Sequence, residues 1–281
     1  MQGPDFVIIG AMKCGTTTLA AQLGAQDGIF VTTPKEPNYF SDDSVYAKGQ
    51  AWYENLFATA RPDDLKGEAS THYTKLPTHP ETIARLKRTG LAPRLIYVIR
   101  DPVDRMVSHY IHEWSMGVIT CDLVDAIEIH PEILAYSRYG EQLAPWIDAF
   151  GTQDLLVLTL EDMNRHPQKI LRHVGAFLGR PDVIWHENLG RENASAARIR
   201  RFPLQGVLIA NPVATWLRRW LVPQGLRDRI KAGRQMTTRP KFTAPQLAHL
   251  QEIFARDYQK LRAICPATAD VSAAYPFLTH D

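Results

Sequence analysis

Three short, largely apolar runs, Phe6–Ile9, Arg94–Ile99 and Leu155–Leu160, stand out along the chain as candidate buried strands. The stretches between them carry apolar residues at helical spacing, which predicts helices over Thr16–Ala25, Tyr46–Phe57, Pro80–Arg88, Pro102–Trp114, Ile133–Phe150 and Pro167–Leu178. Thr243-Ala-Pro-Gln246 has the spacing of a capping box and opens a helix to about Ile264. Strands separated by helices imply right-handed crossovers and a parallel sheet covered on both faces. The expectation is a single α/β domain over residues 1–281, with a P-loop-like parallel sheet flanked by helices. The segment at about 202–237 mixes Pro, Gly, Trp and Arg without a strand pattern and reads as a helical insertion.

Composition adds limits. The chain has 281 residues, 45% hydrophobic and 22% charged, enough to bury a full core. No run approaches the roughly 20 apolar residues needed to cross a bilayer. The apolar stretch at Phe6 ends at Gly10 and lacks the form of a cleaved leader, so a cytoplasmic protein, or one peripheral at a membrane surface, is expected. Cys14, Cys121 and Cys265 are far apart and form no disulfide framework, which suits a reducing compartment. The net charge is only +2, yet Arg198 to Lys241 carries eleven basic residues against the single acid Asp228. That basic segment, with Trp216 and Trp220 beside Arg218 and Arg219, suits an anionic membrane surface, a lipid-linked acceptor or an acidic carrier; a lid packing its tryptophans on the core is the equal alternative. No nucleic-acid partner is implied, and no Cys/His spacing implies a metal.

Two segments carry the chemistry. Phe6 to Leu19 is a strand, a turn bounded by Gly10 and Gly15, and a helix start with Thr16, Thr17 and Thr18, a geometry that holds an anion on backbone N–H groups. A Walker A loop places Lys directly after the second Gly, whereas here Thr16 occupies that position and Lys13 lies inside the loop. A mid-loop lysine is placed to neutralise a leaving bridging oxygen, as a phosphosulfate requires. In the second segment Arg100 emerges at a strand's carboxyl end, Pro102 starts a helix, and Ser108 follows two turns on, so guanidinium and hydroxyl can grip a second phosphate.

Together these segments resemble the sulfotransferases that use 3′-phosphoadenosine 5′-phosphosulfate. The pattern K-x-G-[ST]-[ST] is met by Lys13, Gly15, Thr16 and Thr17, and R-D-P-x-x-R-x-x-S-x-Y by Arg100 to Tyr110. Similarity to the heparan sulfate branch and its bacterial relatives extends to Lys35-Glu36-Pro-Asn38-Tyr-Phe40, Trp52-Tyr53, Gly67-Glu68-Ala69-Ser70, Tyr139-Gly140 and Leu160-Glu161-Asp162-Met163. The resemblance implies sulfuryl transfer to a hydroxyl or amine acceptor, on a small molecule, glycan or lipid-linked group. It assigns Glu36 as general base, Lys13 to the leaving phosphate, Thr16 and Thr17 to the 5′-phosphate, with Cys14, Gly15 and Thr18 also binding the cofactor, and Arg100 and Ser108 to the 3′-phosphate, with Arg239 or Arg201 closing over it. Glu68 and His72 are candidates for the acceptor side, and His112 is a reserve base. Two positions depart from the heparan sulfate pattern, Ala69 in place of Lys and Asn38 in place of His, and they leave the acceptor open. A P-loop kinase or NTPase, and a non-catalytic nucleotide-binding protein, are the alternatives.

Overall fold

The computed structural model describes residues 3–189, 236, 238–265 and 269–278. A five-stranded sheet runs β2-β3-β1-β4-β5, all parallel. Its strands are β1 (Phe6–Gly10), β2 (Ile29–Val31), β3 (Leu65–Ala69), β4 (Arg94–Ile99) and β5 (Leu155–Thr159). β1 and β5 are buried at every position and β4 at all but Arg94, as a parallel sheet covered on both faces demands.

Two strands were not expected. β2 is only three residues long. β3 reads Leu-Lys-Gly-Glu-Ala and carries no apolar run, yet it pairs with β1 in the register Phe6↔Gly67, Val7↔Glu68 and Ile8↔Ala69. The reason lies in Gly67: a Cβ there would sit 2.0 Å from the Phe6 ring, so only glycine lets this strand lie against its neighbour.

Helices α1 (Thr16–Gly24), α4 (Thr82–Arg88), α5 (Pro102–Met116) and α10 (Pro167–Leu178) lie where the periodicity predicts them. Of the helix expected over Tyr46–Phe57 only α3 (Gln50–Asn55) forms; α2 (Asp43–Tyr46) ends where that range begins, and Gly49 at φ +84° lies between the two. The one expected over Ile133–Phe150 is split into α7 (Glu132–Ala135) and α8 (Tyr139–Phe150), and α6 (Leu123–Ile129), capped by the Asp122 carboxylate, precedes them. Leu160 belongs not to β5 but to α9 (Leu160–Arg165).

The capping box at Thr243 and Gln246 forms and opens α11 (Ala244–Ile264). α11 lies so close to α8 that a Cβ at Gly140 would meet the Asp257 carbonyl at 2.7 Å. Asp257 accepts hydrogen bonds from Gly140 N (2.9 Å) and Glu141 N (3.1 Å), so α11 supplies the cap that α8 lacks on its own chain segment. The insertion at about 202–237 lies outside the described residues apart from Met236. Among the described residues no helix is long and apolar enough to cross a membrane.

Candidate active site

In the strand order β2-β3-β1-β4-β5, the chain leaves β1 towards β2 on one side and β4 towards β5 on the other. The connections after β1 and β4 therefore part at the carboxyl edge of the sheet, where open α/β sheets form a ligand crevice. Both loops singled out in the sequence lie there.

The first loop ends in Gly15 at φ +85°. A Cβ at Gly15 would lie 2.7 Å from both Leu160 Cδ1 and Met163 Cε, so α9 packs directly on the loop and excludes any side chain. Gly15 caps α1 without a side-chain hydrogen bond, which leaves the amides of the first turn for an anion. Thr16 is buried, Thr18 half-buried and Thr17 exposed at the start of α1. Lys13, at φ +69°, stands inside the loop. Burial holds its ammonium below the usual lysine range, and the charges of Arg100 and Arg105 add to this while Glu113 and Glu36 oppose it. Cys14 turns inward: its thiol is fully buried, packs 3.6 Å from the Tyr139 hydroxyl, and is pushed up to about 11 by burial. Any contact it makes with a ligand would come from its backbone, not from a thiolate.

The second loop follows β4. Asp101 caps α5 by accepting from Asp104 N at 2.9 Å, Pro102 fills the first turn, and Asp101 N donates to Glu161 Oε1 of α9 at 3.0 Å. Arg100 reaches back to the first loop, with Nη1 donating to the Lys13 carbonyl at 3.4 Å. Its Nη2 pairs with Asp104 at 2.7 Å, and its buried Nε has no partner among the described residues. Arg239 comes to the same place from the segment before α11, donating to Asp104 Oδ1 at 3.0 Å. Two guanidinium groups thus share one carboxylate beside the loop, and Ser108 lies half-buried two turns further along α5.

Glu36 follows β2, in a segment anchored by aromatic packing. Tyr39 stacks on Tyr53 at 4.5 Å, Phe40 meets Tyr53 edge-on at 5.1 Å, and Asn38 N donates to the buried Ser70 hydroxyl at 3.1 Å. Asn38 adopts φ +53°, a conformation that asparagine tolerates. The Glu36 carboxylate accepts from Lys35 Nζ at 2.5 Å and from the Thr71 hydroxyl at 3.0 Å. Burial alone would raise this carboxyl. The Lys35 charge and hydrogen bond, the Thr71 hydrogen bond and the Lys75 charge outweigh burial and hold it below the usual carboxylate range.

Two groups bearing on this centre were not singled out in the sequence. Lys75 is brought down to about 8 by burial, against the pull of Glu36 and Glu113. Glu113 lies on α5 with one oxygen 3.6 Å from His109 Nε2, and the Lys13 and Lys75 charges both feel it. The signal for Glu113 was present, since it stands one turn beyond His109 on a helix already assigned to the site. Lys75 had none, because nothing in its neighbours marks it. Beneath them Arg105 is fully buried, donating to Ser137 Oγ at 2.5 Å and Ile133 O at 2.7 Å.

The remaining candidates fall apart spatially. Glu68 has no exposure; burial pushes its carboxyl up to about 8, with the Tyr73 and Tyr53 hydroxyls opposing, so it belongs to the core below the site and does not line an open acceptor surface. His72 pairs with Asp42 at 2.9 Å and stacks on His79. His112 stands on α5 beside Glu113. Arg201 lies outside the described residues.

The sulfotransferase domain family matches residues 3–262. A heparan sulfate glucosamine 3-O-sulfotransferase 3B1 of Mus musculus is 29% identical over 195 residues, covering 65% of this chain and 48% of its own. The chain thus spans about half the length of the curated relatives it matches first. The crystal structure of a sulfotransferase from Alicyclobacillus acidocaldarius superposes with a TM-score of 0.67 at 21% identity, covering 97% of this chain and 99% of that one. A mouse sulfotransferase solved in complex with PAP gives 0.53 at 18% identity over 100% of this chain and 91% of its own. These likenesses show that the fold is shared, and with the match over residues 3–262 the chain belongs to the sulfotransferase domain family.

Proposed function

We propose that the chain transfers a sulfuryl group from 3′-phosphoadenosine 5′-phosphosulfate to a hydroxyl or amine acceptor, with Glu36 as general base. The observation that carries this reading is the junction of the two loops, where Arg100 donates to the backbone of Lys13 and brings both anion-binding elements to one crevice. The residues present fit a donor with anionic groups at two ends. At one end stand the start of α1, which no side chain caps among the described residues, and the Lys13 ammonium; at the other stand Arg100, whose buried Nε has no partner among the described residues, and Arg239.

The donor supplies an activated sulfur whose bond to the bridging phosphate oxygen is the one that breaks. Glu36, ionised and held by Lys35 and Thr71, takes the proton from the acceptor O–H or N–H as the acceptor atom bonds to sulfur. Lys13 neutralises the charge arriving on the phosphate oxygen, and the amides at the start of α1 hold that phosphate in line. On this reading Arg100, Ser108 and Arg239 bind and orient the 3′-phosphate end and do no chemistry. The relative named for heparan sulfate glucosamine supports an acceptor on a glycan, with a small molecule equally compatible given Ala69 and Asn38.

The test is calorimetry with 3′-phosphoadenosine 5′-phosphate against ATP, followed by turnover on a panel of hydroxyl and amine acceptors. The reading expects tight binding of the former without magnesium and a sulfated product. Preference for ATP with magnesium would replace it with a kinase-like site, and donor binding without any transfer would leave a nucleotide-binding protein.

A further inference from the structure

We infer that Asp42, His72 and His79 form a binding site for a single divalent transition-metal ion of the zinc type. Their donor atoms all lie within 4.8 Å of one another. The Asp42 Oδ1 atom is 2.9 Å from His72 Nδ1 and 3.6 Å from His79 Nδ1. Tetrahedral zinc with bonds of about 2.0–2.1 Å keeps neighbouring donors about 3.3 Å apart, and the two observed separations bracket that value. The three side chains are 28%, 27% and 18% exposed, open enough for an ion to reach them and enclosed enough to hold it.

The arrangement is built rather than incidental. Asp42 occupies the N-cap position of α2, where an aspartate ordinarily accepts from the helix's own amides, but its side chain makes no such bond and turns to the histidines instead. The two imidazoles stack with centroids 4.6 Å apart and planes 17° apart, both presenting Nδ1 to the same carboxylate oxygen. All three backbones are pinned: Asp42 N bonds to Asn38 O, His72 starts the hydrogen-bonded turn that ends at Lys75 N, and His79 N bonds to Lys75 O. The cluster lines a cavity of about 590 Å³ whose wall also carries Ser41, Thr78 and Glu81, so a coordinating water or acceptor oxygen has room at the fourth position.

Two imidazoles with one carboxylate select a borderline ion over magnesium or calcium, which require mainly oxygen donors. His79 Nδ1 also lies 3.2 Å from the Ser41 carbonyl, so ligation exchanges that hydrogen bond for a metal bond and leaves the ring proton on Nε2. Linear spacing concealed the site because its ligands come from two loops, one before α2 and one spanning His72 to His79. The inference stands apart from the reaction proposed above, since its readouts need no turnover.

The experiment uses the untagged chain stripped with a chelator. Zinc titration by calorimetry should show one saturable site, and Co²⁺ should give visible absorption bands of a four- or five-coordinate ion. His72→Ala, His79→Ala and Asp42→Asn should each weaken affinity at least tenfold and remove the cobalt bands, while His173→Ala, at an exposed helical histidine, leaves them intact. Thermal unfolding of each metal-free variant checks that it is folded, and Asp42→Asn preserves size should an alanine variant fail that check. Absence of a saturable site in the parent chain, or equal affinity in folded His72→Ala and His79→Ala, overturns the inference.

Discussion

The Tyr139 hydroxyl donates to the Arg100 carbonyl at 2.9 Å and lies 3.6 Å from Cys14 Sγ, so one residue at the start of α8 ties both anion loops together. Asp257 caps the same helix end from α11. A chain of contacts thus runs from the C-terminal helix to the crevice. Tyr139→Phe keeps the ring packed and deletes only the hydroxyl bonds, which should cost about 1 kcal/mol of stability and weaken affinity for 3′-phosphoadenosine 5′-phosphate several-fold. Calorimetry on the folded variant checks this; unchanged affinity would mean that the loops hold their positions without the tie.

Gly15 is the position where the fold tolerates least. Gly15→Ala adds a Cβ at φ +85° and within 2.7 Å of two side chains of α9. Left-handed strain alone is worth about 1–2 kcal/mol, and the collision adds to it. We expect a lowered unfolding midpoint together with loss of nucleotide binding, both measurable by thermal shift with and without the nucleotide.

Lys75 should govern the acid limb of the activity profile. Its charge helps to hold Glu36 below the usual carboxylate range, so removing it in Lys75→Met lets the Glu36 pKa rise. The acid limb of kcat then moves to higher pH. Lys75→Arg keeps the charge and should leave the limb near its original place. A profile unmoved by Lys75→Met would show that Lys35 and Thr71 suffice.

Glu68 makes stability depend on pH. Its folded pKa, raised by burial, is about 8 against an ordinary value of 4.5. The carboxyl is protonated in both states at low pH, so its share of stability is fully present below 4.5 and is lost as pH rises through 8. Glu68→Gln cannot ionise and should show a flatter profile across that window. Chemical denaturation at several pH values reads the difference directly.

β1, β4 and β5 were legible because each is a largely apolar run, and the turns after β1 and β4 were legible because Gly15 and Pro102 each mark a local backbone requirement. β3 was hidden because its pairing depends on Gly67 lying under Phe6, a contact between segments sixty residues apart that no local pattern encodes. Lys75 escaped for the same reason, as its role arises only when β3, α5 and the Glu36 loop converge, whereas Glu113, one turn beyond His109, carried a local signal that was passed over. The burial of Glu68 was hidden in the same way, since it follows from the pairing of β3 with β1 that sets Glu68 opposite Val7.

The central claim, that Glu36 is the base of a donor site formed by the Lys13 and Arg100 loops, is tested most directly by single-turnover sulfuryl transfer in Glu36→Gln. With the nucleotide site saturated, the account predicts a transfer rate lower by on the order of a thousandfold while affinity for 3′-phosphoadenosine 5′-phosphate stays within a few-fold of the parent. A transfer rate equal to the parent's at full saturation would contradict it.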